Sequence, residues 1–87
     1  MAYDLFGRPM LPGDYYVHGL YVGRVLHSGG NEAPPTAVIM GRGGRRRGKW
    51  AREAHFSYIT GSPVLVPFEA VPLELIETLD RAWNGYR

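Results

Sequence analysis

The sequence contains no cysteine, which excludes disulfides, thiolate metal sites and cysteine nucleophiles and fits a reducing compartment. It also lacks any apolar run near the roughly 18–20 residues that cross a bilayer as a helix. The opening Met1-Ala2-Tyr3-Asp4-Leu5-Phe6-Gly7 has neither the basic region nor the long apolar stretch of a secretory signal. These absences lead to the expectation of a soluble, cytoplasmic protein with no membrane partner. Length excludes more: 87 residues and 9.7 kDa leave no room for a two-domain enzyme, a standard nucleotide-binding fold or a (β/α)₈ barrel. The expectation is a single domain over residues 1–87.

What is present suits a β-rich domain. The chain is 45% hydrophobic and 13% aromatic, which supports a folded core, and its 12 Gly and 7 Pro favour short strands joined by tight turns. The net charge of +2 hides an uneven distribution. Residues 1–41 carry −1, residues 42–49 carry +5 with no acid among them, and residues 50–87 carry −2. Half of the basic side chains therefore fall within eight positions, a local concentration that reads as an interaction feature.

Residues 1–10 read as an N-terminal arm. Pro12, Gly13 and Asp14 supply a turn before the β-formers Tyr15, Tyr16 and Val17. His18-Gly19-Leu20 turns the chain into a second strand over Tyr21–His27, with Val22, Arg24 and Leu26 on one face and Tyr21, Gly23 and Val25 on the other. Both faces are partly apolar, so the pattern does not say which is the core face. Ser28–Pro35 is a loop, and Thr36–Met40 is an apolar run of strand length. A basic loop over residues 41–49 follows. Period-two alternation then supports a fourth strand, strongest over Ala54–Ile59, and Val64–Val66 makes a fifth. Residues 72–84 read as a helix. Pro72 suits its first position, Glu74 and Glu77 near the start and Arg81 near the end complement its dipole, and Leu75, Ile76, Leu79, Ala82 and Trp83 form its apolar stripe. Asn84-Gly85 provides the stop.

The first hairpin, with Pro12-Gly13-Asp14, then Val17, then Gly23-Arg24-Val25, resembles the opening of small SH3-like barrels of the KOW and Tudor kind. The likeness covers residues 11–27. It implies architecture more than activity, because such barrels bind nucleic acid, ribosomal RNA, peptides or methylated side chains. The fold expectation is a mainly β (β+α) domain: a small SH3-like, partly open antiparallel barrel of about five strands over residues 11–66, with one C-terminal helix.

Gly43-Gly44-Arg45-Arg46-Arg47-Gly48-Lys49 satisfies a phosphate-cradling Gly-x₄-Gly-Lys pattern. Trp50 stands where that motif needs Ser or Thr, and the residues beyond alternate like a strand, so the pattern is a decoy for a nucleotide site. The same loop presents planar guanidinium donors on an adaptable backbone. Arg42, Arg45, Arg46, Arg47, Lys49 and Arg52 are the candidate phosphate contacts, with Trp50 placed to stack on an exposed base. Docking on an acidic protein surface, or a solvated hairpin tip, are the other readings of the same residues. His18, His27 and His55 fall in different strands and show no metal-ligand spacing. Glu69, Glu74, Glu77 and Asp80 lie on or just before the helix and read as a solvated face. The aromatics Tyr15, Tyr16, Tyr21, Phe56 and Tyr58 read chiefly as core, with a ligand groove as the alternative. No catalytic constellation, metal site or cofactor is expected. The functional expectation is a non-enzymatic protein that binds RNA or DNA through the basic loop. The alternative is a protein-interaction module, an inhibitor or adaptor that docks the loop or a sheet edge on an acidic partner.

Overall fold

The structure, a computed structural model, describes residues 2–43 and 49–86. It is mainly β with one helix. Five antiparallel strands, β1 (Tyr15–His18), β2 (Tyr21–His27), β3 (Thr36–Gly41), β4 (His55–Tyr58) and β5 (Val64–Val66), form an unclosed sheet in the order β4-β3-β2-β1-β5. Consecutive strands pair as a meander, and β5 returns to the free side of β1, with Tyr15 opposite Val66 and Val17 opposite Val64. A 3-10 turn over Phe68–Ala70 leads into the helix α1 (Leu73–Tyr86).

The ambiguity of β2 has a physical answer: both of its faces are buried. On one side Tyr15, Val22, Leu26, Val38 and Met40 pack against Val71, Leu75, Ile76 and Leu79 from α1 and the residue that leads to it. On the other, Tyr16, Val25 and Ala37 pack under Met10, with Ala2, Ile39, Ile59 and Leu65 around them. The N-terminal arm is thus a second covering layer. Full burial of side chains such as Leu79 or Met10 contributes about 1.5–3 kcal/mol each.

The arm is held by one carboxylate. Asp4 is buried, and it accepts hydrogen bonds from the backbone N–H of Phe6 (3.0 Å), Arg8 (2.8 Å) and Leu65 (3.1 Å) and from Arg8 Nε (2.9 Å). The Leu65 bond ties the arm to β5, and Leu5 N–H donates to the Pro63 carbonyl at 2.8 Å. Burial opposes ionisation of Asp4, but the four donors outweigh it and lower the carboxyl from 3.8 to about 2.

Two boundaries differ from the sequence expectation. The helix begins at Leu73, with the Pro72 carbonyl accepting from the N–H groups of Leu75 and Ile76, so Pro72 caps the helix instead of occupying its first position. It also runs through Asn84-Gly85, since Gly85 does not take the left-handed conformation that ends a helix, and Arg81 therefore lies more than one turn before the end. The fourth strand is shorter than its alternation, because residues 52–53 bend before His55.

Gly23 is required by packing. It sits opposite Tyr16 across β1 and β2, and a Cβ at this position meets the Tyr16 ring at 2.5 Å. Tyr16 is only 3% exposed, and the tip of its ring must shift to admit the methyl group. Gly23→Ala is expected to destabilise the domain by about 1–3 kcal/mol in chemical denaturation, the usual cost of overpacking. Gly30→Ala, with no neighbouring atom in the way, is expected to leave stability unchanged. Asp4 sets an acid limit. Its folded pKa lies below its unfolded one, so its contribution is complete above pH 3.8 and drains away as pH falls toward 2. Asp4→Asn should melt earlier at neutral pH and lose less stability than the native chain between pH 4 and 2.

Candidate nucleic-acid interface

The basic loop springs from the β3–β4 hairpin, and its described flanks are anchored on both sides. Arg42 and Trp50 form an antiparallel bridge beyond the end of β3. Arg42 N–H donates to the Leu20 carbonyl and Ala51 N–H to the Gly41 carbonyl, each at 2.9 Å. Gly41 allows the approach: it lies opposite Tyr21, whose ring would stand 2.7 Å from a Cβ there. The Arg42 guanidinium lies 4.9 Å from the Trp50 ring centroid, a cation–π distance. Trp50 is half-buried and packs against the helix-side core.

Arg42, Lys49 and Arg52 are exposed at this end of the sheet. Arg45, Arg46 and Arg47 lie outside the described residues. After Lys49 the chain returns as a bridge and then strand β4, with no helix to support a nucleotide cradle. Trp50 is the wall shared by two clefts. One, of about 420 Å³, lies between the hairpin and α1 and is lined by Met40, Lys49, Arg52, Glu74 and Leu75. The other, of about 330 Å³, includes Leu20, Tyr21, Arg42 and Pro72.

The remaining candidates separate. His18 lines a groove of about 260 Å³ with Tyr16, Tyr21, Ile39, Tyr58 and Thr60, while His27 and His55 lie elsewhere on β2 and β4. Among the described residues, no three His, Asp or Glu side chains come close enough to hold a metal ion. The aromatics divide: Tyr15 and Tyr16 are buried, whereas Tyr21, Phe56 and Tyr58 are about half exposed or more. On the outer strand β4, Phe56 and Tyr58 border a groove of about 430 Å³ that Leu26 of β2 and Thr36 of β3 also line.

Glu69, Glu74 and Glu77 are exposed, as a solvated face requires, but Asp80 departs from that expectation. Its Oδ1 accepts from the Tyr15 hydroxyl at 2.5 Å and from Arg24 Nη1 at 2.8 Å. Arg24 also donates through Nε to the Gly13 carbonyl at 3.2 Å, and its guanidinium stacks 4.0 Å from the Trp83 ring centroid. Burial, reinforced by the bond to Asp80, pushes the Tyr15 hydroxyl up to about 12, against the pull of Arg24. This cluster locks α1 to the first hairpin. A single Arg inside an otherwise apolar face of β2, opposite a helix that carries Asp80, was the available signal for it.

Comparison with known protein families, with characterised proteins and with solved structures finds no match for the chain. Among the described residues, no helix is long and apolar enough to cross a membrane.

The two carboxylates on α1 should behave differently when removed. Asp80→Ala removes the acceptor of the Tyr15 hydroxyl and the ionic partner of a mostly buried guanidinium, and thermal melts should show a loss of about 1–3 kcal/mol. Glu77→Ala should stay within about 0.5 kcal/mol of the native chain.

Proposed function

We propose that this chain is a small, non-enzymatic SH3-like barrel that binds nucleic acid through its β3–β4 hairpin. The observation that carries the reading is the placement of the charge. Residues 42–52 hold six cations and no acid, and the two ends of that stretch are pinned by the Arg42–Trp50 bridge to one end of the sheet. The pairing of β1 with both β2 and β5 supports the barrel reading, since it brings the first and last strands side by side.

In this reading Arg42, Arg45, Arg46, Arg47, Lys49 and Arg52 grip phosphate oxygens. Guanidinium groups suit the task because their planar forks match two phosphate oxygens at once. The bridged flanks fix where the basic stretch leaves and rejoins the sheet. Recognition of this kind is independent of base sequence and steeply dependent on salt.

A protein-interaction module is the second reading, and one observation favours it. Strand β4 is an outer strand of the sheet, and it carries Phe56 and Tyr58 at 59% and 63% exposure. A partner strand added along that edge would gain main-chain hydrogen bonds and two aromatic contacts.

The deciding measurement is the affinity for mixed oligonucleotides across a salt series. Binding should weaken with salt, and replacing Arg45, Arg46 and Arg47 with Ala should flatten the slope of log affinity against log salt by about 2–3. Absence of binding at low salt would reject the nucleic-acid reading and leave the β4 edge as the surface to test.

A further inference from the structure

Building on the nucleic-acid reading, we infer that the cleft between the hairpin and α1 is a pocket for one unpaired base, so that the ligand is a single strand. The cleft has the layout of a nucleotide site. Met40, Trp50 and Leu75 supply an apolar interior, and Lys49 and Arg52 stand at its hairpin side. Its volume of about 420 Å³ falls inside the range of about 300–1,000 Å³ typical of small-ligand sites.

Trp50 is held ready. Its ring is seated on the core cluster and braced by Arg42, which lines the second cleft and not this one. The ring therefore presents a fixed surface to an entering base, with little side-chain entropy left to lose. Charge sets the orientation. Glu74 places a negative group on the helix side of the cleft, while Lys49 and Arg52 lie opposite, so the phosphate stays with the hairpin and the base goes inward. In a duplex the bases are stacked and paired, and none reaches such a pocket without being extruded. Phosphate gripping alone makes no such distinction.

The test uses the full chain with Trp83→Phe, so that tryptophan fluorescence reports Trp50 alone. Three ligands are titrated at low salt: a short single strand, an abasic sugar–phosphate strand of equal length, and a duplex. The single strand is expected to quench Trp50 and to bind roughly fivefold to a hundredfold tighter than the abasic strand. The duplex is expected to bind without quenching. Equal affinity for the two strands, or no quenching by either, would overturn the base pocket while phosphate binding stands. Failure of all three ligands to bind would overturn both readings. Competition assays on the unmodified chain give the same three affinities without any substitution.

Discussion

A five-stranded sheet with apolar side chains on both faces leaves neither face to water, and the rest of this structure follows from that constraint. Tyr15, Val22, Leu26, Val38 and Met40 need one cover, and Tyr16, Val25 and Ala37 need another. The helix supplies the first and the N-terminal arm the second. Neither cover is held by apolar contact alone. A carboxylate fastens each: Asp4 gathers three backbone N–H groups and Arg8, and Asp80 gathers Tyr15 and Arg24. Asp80 is satisfied wholly by distant donors, and Asp4 by three local ones together with the distant Leu65 N–H; that pairing is what makes their burial tolerable.

The basic hairpin depends on this frame and, among its described residues, shares in its packing only through Trp50. Its described flanks rest on Leu20, Tyr21 and the helix-side core, while Arg42, Lys49 and Arg52 remain exposed. The core fixes where the charge stands, and the charge itself adds little to stability. Such a division lets a binding surface change without endangering the fold.

Local patterns in the sequence were sufficient to locate all five strands. The His18-Gly19-Leu20 turn placed Tyr21–His27, and a helical stripe located Leu75, Ile76 and Leu79 correctly on the packed face. What local patterns do not contain is which distant segments meet. The arm offers only Ala2 and Met10 to the core, too few residues to form a period, so its covering role is not legible. Asp80 reads like Glu74 and Glu77 because all three share an amphipathic helix, and only the position of Arg24 in space tells them apart. Asp4 left a fainter trace: Asp followed by Gly7 and Arg8 is the composition of a turn closed by a side-chain carboxylate. At the candidate interface, the concentration of charge was legible. The cleft beside Trp50 was not, because it forms between Met40 and residues 49–52 on one side and residues 74–78 on the other.

The long reach of those fastenings also governs when the fold is able to form. Asp4 meets Leu65 across 61 residues, and Tyr15 meets Asp80 across 65. The first hairpin closes locally, but β1 waits for β5 and the helix before its second edge and its outer face are covered. Loop-closure entropy must be met before these distant contacts return any free energy, so they form late relative to the local hairpins. During synthesis the N-terminal arm and the β1–β4 meander emerge before β5 and the helix. For that interval the nascent chain carries a sheet whose helix-side face is bare and whose arm lacks its tie to Leu65, the state in which a chaperone or an unwanted neighbour finds it most readily.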